Sequence, residues 1–128
     1  MPTDRYPEEL SLNRSERTLT ILWDDGRSDL LDCEFLRVHS PSAEVKGHGK
    51  EVLQTGKKLV NINAIEPVGQ YAVKIVFDDG HQTGLYSWDY LRHLGDHRDT
   101  LWQAYLLKLA EAGARRDPDL IGRWTPTG

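Results

Sequence analysis

The stretch Ile75-Val-Phe-Asp-Asp-Gly-His-Gln-Thr-Gly-Leu-Tyr-Ser-Trp-Asp-Tyr-Leu-Arg92 decides the fold, because an earlier stretch follows the same plan: Ile21-Leu-Trp-Asp-Asp-Gly-Arg-Ser-Asp-Leu-Leu-Asp-Cys-Glu-Phe-Leu-Arg37. Each copy reads as an apolar strand, an Asp-Asp-Gly turn, a second short strand and a helical step that ends in an aromatic residue, Leu and Arg. A plan that recurs within so short a chain indicates one supersecondary unit that is used twice.

Length and composition restrict the class of protein. The chain has 128 residues, enough for one domain with a modest hydrophobic core. A net charge of −4 gives no strong field that would attract nucleic acid or an anionic membrane. The single cysteine excludes an internal disulfide and is typical of a reducing compartment. The first residues lack the apolar run of a signal peptide, and no apolar segment approaches about 18 residues, so we expect a cytoplasmic protein.

Apolar periodicity predicts an α+β fold. Strands are expected at residues 18–23, 28–32, 58–65, 71–77 and 81–86, with short helices at 33–37 and 88–93. The Asp-Gly pair of each turn predicts a tight type I′ hairpin. We therefore expect two repeated units, each a β-hairpin with a short helix, on a mostly antiparallel sheet, with a C-terminal helix packed on it.

The last helix is the strongest helical signal in the sequence. An apolar stripe at helical spacing comprises Leu101, Trp102, Tyr105, Leu106 and Leu109. Asp96 is a candidate N-cap for this helix and Gly113 a candidate terminator, while Ser87 and Gly95 are expected to cap and end the preceding short helix. The predicted organisation is a flexible segment at residues 1–17, one domain at 18–113 and a polar tail at 114–128.

Four motifs together resemble a known family. These are Leu36-Arg-Val-His-Ser-Pro-Ser-Ala-Glu-Val45 with Gly47-His-Gly49, then Phe77-Asp-Asp-Gly-His81 and Tyr86-Ser-Trp-Asp-Tyr-Leu-Arg92. They resemble the small bacterial proteins of the DUF971 family, which are similar to the N-terminal domain of gamma-butyrobetaine hydroxylase. The resemblance covers roughly residues 14–95.

The resemblance implies a zinc position that this chain has altered. In the hydroxylases the N-terminal domain holds a structural zinc through three Cys and one His, and the catalytic iron lies in a separate oxygenase domain, which we expect to be absent here. The cysteine positions fall on Ser40, Ser42 and Val45, and the histidine on His81. Because a hydroxyl is a poor zinc ligand and Val is none, the resemblance predicts a dismantled zinc site. We expect no enzyme activity, because the oxygenase domain and any catalytic motif are expected to be absent.

The main hypothesis is a non-catalytic binding or adaptor domain without a cofactor. The same kind of domain occurs fused to P-loop ATPases of iron–sulfur cluster assembly, which implies a protein partner in that machinery by association only. The expected binding surface comprises Arg37, His39, Ser40, Ser42, Glu44, His81 and Trp88. Arg37 can bind a carboxylate or phosphate there. The alternative is that Arg37 pairs with Glu34 or Glu44 and that the serines cap local turns.

Two further hypotheses belong to other classes. A zinc or iron site can be drawn from Cys33, His39 and His81, with His48 as a further ligand, although their spacing matches no metal motif. The alternative is that Cys33 packs as a small apolar side chain and that the histidines lie at the surface or cap turns. A hydrolase is weaker still, because Ser, His and Asp are present without a Gly-x-Ser-x-Gly elbow.

Overall fold

The computed structural model describes residues 5–42 and 52–118. In chain order its elements are β1 (Pro7–Asn13), β2 (Thr18–Trp23), β3 (Ser28–Asp32), α1 (Cys33–Val38), β4 (Ile62–Val68), β5 (Ala72–Phe77), β6 (Leu85–Ser87), α2 (Trp88–Asp96) and α3 (Arg98–Ala112). The strands of these residues form two antiparallel sheets, in the orders β1-β2-β3 and β4-β5-β6. The predicted α+β class is confirmed, with its strands divided between two sheets.

The internal repeat is longer than the sequence indicated. Each unit has three antiparallel strands followed by a short helix, since β1 to α1 match β4 to α2 in order and pairing. Even the irregularities match: the register shifts between Pro7 and Glu9 in β1, and between Ile62 and Ala64 in β4. Both units are therefore one supersecondary structure with the same bulge at the same place.

Strand β1 corrects the prediction of a flexible segment at residues 1–17. Pro7–Asn13 pairs with β2 along its whole length. Leu10 and Leu12 pack against the core, while Ser11 between them is exposed. The period-two signal is only two leucines long, because an edge strand with one solvated face carries polar residues at its other positions. Residues 1–4 lie outside the described part of the chain.

The second sheet differs from the prediction at its turns. Strand β4 runs to Val68, and Pro67 pairs within it with Val73. Proline is tolerated there because β4 is an edge strand. The turn lies instead at Gly69, which has a φ of 60°, and the following Tyr71 is 74% exposed and not in the core. Strand β6 is shorter than expected, at Leu85–Ser87.

The helix boundaries are partly as predicted. The Ser87 hydroxyl caps α2 by accepting a hydrogen bond from the Tyr90 amide at 3.1 Å. However, α2 continues through Gly95, where a side-chain Cβ would come within 2.5 Å of an Asp29 carboxylate oxygen. Gly95 therefore permits close packing and does not end the helix. His97, not Asp96, precedes α3, and its side chain makes no capping hydrogen bond.

The two Asp-Asp-Gly turns have the same hydrogen bonds. The amide of Trp23 donates to the Arg27 carbonyl at 2.8 Å, and that of Phe77 to the His81 carbonyl at 2.9 Å. Gly26 and Gly80 have φ of 87° and 91°. Among the described residues other than glycine, only Arg17 has a positive φ, so neither Asp25 nor Asp79 has one. A type I′ turn needs two such residues, so that prediction is wrong. These are three-residue loops closed by a glycine bulge.

One hydrophobic core joins both repeats. It contains Leu19, Ile21, Trp23, Leu31, Cys33, Phe35, Leu36, Val60, Ile62, Val73, Ile75, Phe77, Tyr86, Leu91 and Leu94, all buried. Helix α3 adds a second cluster, in which Tyr105 and Leu109 pack on Val38 at the end of α1. The predicted stripe of α3 is confirmed, and Gly113 ends the helix with a φ of 64°.

The described part of the predicted tail, residues 114–118, is packed against the domain. The carbonyls of Arg115 and Arg116 accept hydrogen bonds from the amides of Gly56 and Lys58, each at 2.9 Å. The Arg116 guanidinium also donates to both carboxylate oxygens of Glu34, at 2.9 and 2.7 Å. Paired backbone and a two-oxygen ion pair hold this polar segment, which hydrophobic patterning alone cannot detect. Trp124 lies outside the described residues.

Two arginines at equivalent positions connect the repeats reciprocally. Arg37 of α1 donates to Asp79, in the turn of the second repeat, at 2.8 Å. Arg92 of α2 donates to Asp25, in the turn of the first repeat, at 3.0 Å. Hydrogen bonds from Arg92 lower the pKa of Asp25. Each helix therefore holds the turn of the other repeat.

We expect Arg37→Ala to lower the free energy of unfolding by about 3 kcal/mol, at the lower end of the range for a broken buried ion pair. Arg37 is 7% exposed, and Asp79 keeps a second cation, Lys57, at 2.6 Å. Arg92→Ala should cost less, because its partner Asp25 lies nearer to solvent. Urea unfolding measures both variants, and a smaller loss for Arg37→Ala than for Arg92→Ala would contradict the assignment.

Candidate functional site

Three residues from the family's zinc position come together in the fold. The Ser40 and Ser42 hydroxyl oxygens lie 2.8 and 3.3 Å from His81 Nε2, and the Ser42 amide donates to Ser40 Oγ at 3.3 Å. All three residues are buried. Pro41 and the end of α1 direct the serines toward the hairpin that carries His81. The resemblance therefore predicted a real contact between distant parts of the chain.

These residues do not fit a zinc ion. Zinc ligands at 2.0–2.3 Å in a tetrahedron are roughly 3.5 Å apart, whereas Ser40 Oγ and His81 Nε2 are at direct hydrogen-bond distance. Two neutral hydroxyls also lack the thiolate charge that stabilises the ion. The third cysteine position, Val45, lies outside the described residues. Hydrogen bonds replace metal ligation in the part of the cluster that the structure describes.

The expected binding surface is largely interior. Arg37, Ser40, Ser42 and His81 are at most 7% exposed, so no partner can contact them directly. The predicted alternatives for Arg37 also fail in part, since Glu34 pairs with Arg116. Glu44 lies outside the described residues. Burying Arg37, Ser40, Ser42 and His81 gives them a structural role and removes them from the candidate surface.

Trp88, at the start of α2, is a partly exposed residue of the predicted surface. Its indole Nε1 donates to the Gln70 carbonyl at 2.8 Å, in the turn between β4 and β5. The indole therefore fastens that turn.

The charged pair beside the cluster is tightly held. Burial raises the pKa of Asp79, but hydrogen bonds from Lys57 and the His81 amide and the charge of Arg37 outweigh it, so the pKa is lowered overall. Arg37 Nη1 is buried without a hydrogen-bond partner in the described structure. The equivalent Arg92 contacts both oxygens of Asp25, at 3.5 and 3.0 Å. The arginine–aspartate pair therefore occurs in both repeats, with one hydrogen bond from Arg37 and two from Arg92.

The three proposed metal ligands do not converge. Cys33 Sγ lies 3.8 Å from Asn61 Oδ1, while His39 Nδ1 is 2.9 Å from the Phe35 carbonyl oxygen and His81 contacts the serines. Burial raises the pKa of Cys33 to about 11, so its thiol is protonated at neutral pH. Within residues 5–42 and 52–118 no three His, Cys, Asp or Glu side chains form a group that could hold a metal. His48 lies outside these ranges.

The Ser–His contact also lacks the access that a hydrolase needs. Ser40 has no exposed surface, and a substrate carbonyl must reach the nucleophile before geometry matters. A side-chain Cβ at Gly84 would lie 2.4 Å from Ser40 Oγ, which shows how closely the hairpin covers the hydroxyl. The arrangement is a buried polar network and not a catalytic dyad.

A candidate accessible site is a cavity of about 360 Å³ beside this network. It lies where the end of α1 meets α2 and α3, and its described lining comprises Val38, His39, Val52, Leu53, Gln54, Tyr90, His93, Leu94, Leu101, Ala104, Tyr105 and Lys108. Of the predicted binding residues only His39 is among them. No local pattern in the sequence predicts this cavity, because its described walls come from separate segments at residues 38–39, 52–54, 90–94 and 101–108.

Polar groups in the walls are held by backbone contacts. The Tyr90 hydroxyl donates to the His39 carbonyl at 2.5 Å, and the Tyr105 hydroxyl to the Gln54 carbonyl at 2.6 Å. Burial raises the pKa of Tyr105 to about 12, assisted by Glu34 and opposed by Arg116, so its hydroxyl stays protonated. The rings of His93 and Tyr90 stack 6.2 Å apart. The cavity is therefore preformed, with a fixed aromatic and imidazole wall.

Comparisons with known proteins identify the class. The model of the family described as gamma-butyrobetaine hydroxylase-like, N-terminal, matches residues 10–92. The chain belongs to this family. A crystal structure from Acidithiobacillus ferrooxidans ATCC 23270, of a protein with unknown function in the DUF971 family, is 38% identical, with a TM-score of 0.61 over 70% of this chain and 91% of that chain.

Two NMR solution structures are more similar. One is 53% identical with a TM-score of 0.80, covering 90% of this chain and 92% of its own. The other is 51% identical with a TM-score of 0.78, covering 100% and 98%. A search of the curated proteins gives no match. None of the helices in the described residues has the length and apolarity to cross a membrane.

Removing the Ser40 hydroxyl should destabilise the domain. Ser40→Ala removes the 2.8 Å contact to His81 Nε2 and leaves the longer one to Ser42 at 3.3 Å, and we expect a loss of about 1 kcal/mol, the net contribution of one buried hydrogen bond. Ser11→Ala, on the exposed side of β1, is the matched control and should change stability by less than about 0.5 kcal/mol. Equal effects in a chemical unfolding experiment would mean that the network contributes nothing.

The Cys33 thiol should be unreactive in the native protein. With its pKa raised to about 11, little thiolate exists at pH 8, and the side chain has no exposed surface. A colorimetric disulfide reagent should therefore label native protein far more slowly than the same protein unfolded in guanidinium chloride. Similar labelling rates in the two states would show that Cys33 is accessible and would reopen its role as a metal ligand.

Proposed function

We propose that this protein is a non-catalytic binding domain that uses the cavity between α1, α2 and α3. The observation that carries the proposal is the coexistence of a preformed cavity of about 360 Å³ with a polar network that is buried away from it. Ligand sites are typically concave and mostly apolar, with a few fixed polar groups, and this cavity has that composition. Ser40 follows His39 of the lining directly in the chain, so we regard the Ser40–His81 network as scaffold beside the cavity.

The partner we propose is a protein that inserts one side chain or chain end into the cavity. Val52 at its edge is 49% exposed, which offers apolar surface for contact outside the cavity itself. Related domains fused to P-loop ATPases of iron–sulfur cluster assembly make that machinery, in the cytoplasm, the first partner to test. A metal-binding accessory built on Cys33, His39 and His81 is not proposed, because these side chains do not converge.

The experiment is a tagged pull-down from native cell extract, read by mass spectrometry, with three forms of the protein. Ala104 lines the cavity from an exposed position on α3, so Ala104→Trp fills the cavity without removing core atoms. Gln103→Trp adds the same side chain on the same helix outside the cavity. We expect partners to be captured by wild type and Gln103→Trp and to be lost with Ala104→Trp.

Two results would count against the proposal. Equal capture by all three forms would place binding away from the cavity. An absence of any specific partner with wild type would remove the reason to regard the domain as an adaptor. Circular dichroism of both tryptophan variants checks that each retains the helical content of wild type, so that lost capture reports the cavity and not the fold.

A further inference from the structure

Two exposed histidines lie one helical turn apart where α2 meets α3. His93 is in the last turn of α2, and His97 lies between the two helices. The centres of their rings are 4.8 Å apart, with an angle of 53° between the ring planes. The two zinc-binding histidines of helical His-Glu-x-x-His sites have this same spacing of four residues, because residues four apart share a helix face. The spacing therefore allows both imidazoles to bind one ion.

The distance between the two rings fits a chelate. An imidazole nitrogen binds zinc at about 2.0–2.1 Å and lies about 1.1 Å from the centre of its own ring. Two imidazoles on one ion, at ligand–metal–ligand angles of about 90–110°, therefore have ring centres about 4.5–5.2 Å apart. The 4.8 Å between His93 and His97 lies within this interval. Rotation about the Cβ–Cγ bonds, which is soft, turns ring nitrogens toward the ion without a change in the backbone.

The backbone of both histidines is held in place. The His97 amide donates to the His93 carbonyl at 3.1 Å, and the Leu101 amide donates to the His97 carbonyl at 2.8 Å. His97 is thus bonded to both helices, and its side chain makes no capping hydrogen bond to α3. The His93 ring stacks on that of Tyr90 at 6.2 Å. A chelate here loses little conformational entropy, because the backbone and one ring are already placed.

We infer that His93 and His97 form a two-ligand site for a divalent transition-metal ion such as Cu²⁺, Ni²⁺ or Zn²⁺. Imidazole suits these ions, whereas Mg²⁺ and Ca²⁺ prefer oxygen ligands. Among the residues that the structure describes, no three His, Cys, Asp or Glu side chains form a metal-binding group, so the described pair is an open site and not a closed structural one. Water or a ligand from another molecule takes the remaining positions.

This metal site is separate from the sites considered above. Ser40 and His81, at the family's zinc position, contact each other by a hydrogen bond and lie on other elements. His93 also lines the cavity, so an ion bound to it lies at the edge of that cavity. The inference goes beyond the proposed binding function, because metal binding by the purified chain requires no partner protein. Either proposal can fail without the other.

Isothermal titration calorimetry of the untagged full-length chain tests the site with Zn²⁺, Cu²⁺ and Mg²⁺. We expect Cu²⁺ to bind more tightly than Zn²⁺, and Mg²⁺ to give no saturable binding. His93→Gln and His97→Gln each leave one imidazole, and each should weaken Zn²⁺ binding at least about ten-fold, because the second ligand no longer binds within the same molecule. In amide NMR spectra, Zn²⁺ should shift the resonances of residues 93–97 in wild type.

An exchange of two neighbouring residues separates the chelate from the number of histidines. The double variant His97→Arg/Arg98→His keeps the composition and the net charge, and it moves the second imidazole to the first position of α3. The imidazoles are then five residues apart and no longer share a helix face, so we expect the same loss of at least about ten-fold. Circular dichroism should be unchanged in all three variants, because the substituted side chains are exposed.

Three results would overturn the metal site. Equal Zn²⁺ affinity in wild type and the exchanged variant would show that the two imidazoles do not act together. Equal affinity in wild type and either glutamine variant would show the same. Zn²⁺-dependent shifts that leave residues 93–97 unaffected would place the ion at another part of the chain. If partner capture still depended on the Ala104→Trp substitution in any of these cases, the binding proposal would stand without the metal.

Discussion

Two arginine–aspartate contacts, each joining the helix of one repeat to the turn of the other, are the constraint on which the arrangement of the domain depends. Arg37 reaches Asp79, and Arg92 reaches Asp25. In both turns the same aspartate also accepts the amide hydrogen two residues later, at 3.1 Å. In each repeat one carboxylate therefore fixes its own turn and binds the helix of the other repeat. The repeated sequence pattern thus corresponds to a reciprocal contact as well as to a repeated unit.

The repeats differ beside these contacts, at the place where the resemblance implied an altered zinc position. In the first repeat Arg27 pairs with Asp29 and Asp96, so an ionic cluster joins the hairpin to the residues at the end of α2. At the matching place in the second repeat, His81 joins its hairpin to Ser40 and Ser42 by neutral hydrogen bonds. Both clusters connect a hairpin to the end of the other helix. The same structural place is therefore held by ion pairs in one repeat and by neutral hydrogen bonds in the other.

Local patterning predicted most of the secondary structure and missed what depends on tertiary contact. The alternation in β2 and β5, the Ser87 cap and the apolar stripe of α3 were all predicted correctly, because each signal lies within a few residues. Strand β1 was missed because an edge strand needs only Leu10 and Leu12 on its buried face. The turn type was misread because the glycine bulge adds a residue that the Asp-Gly pair does not reveal.

The resemblance to a family predicted the contact between the serines and His81, which patterning could not predict. It wrongly indicated that these residues belong to an exposed binding surface. It aligned Ser40 and Ser42 with His81 across 39 or more residues, a contact that no periodicity can show. It could not show that burial had removed these residues and Arg37 from solvent, because a motif records which residues occur together and not their exposure. Exposure depends on how closely the hairpin covers Ser40. The hairpin can approach Ser40 because Gly84 has no side chain.

The candidate site lies beside helix α3, which follows the second repeat. This helix packs Tyr105 and Leu109 against Val38 at the end of the first repeat. The cavity is the space that remains between this added helix and the ends of α1 and α2. Arg37 and Arg92 inside the repeats are held by reciprocal contacts, whereas Ala104 and Lys108 of α3 line the cavity. A substitution at Ala104 or Lys108 therefore alters the cavity without removing either arginine–aspartate contact.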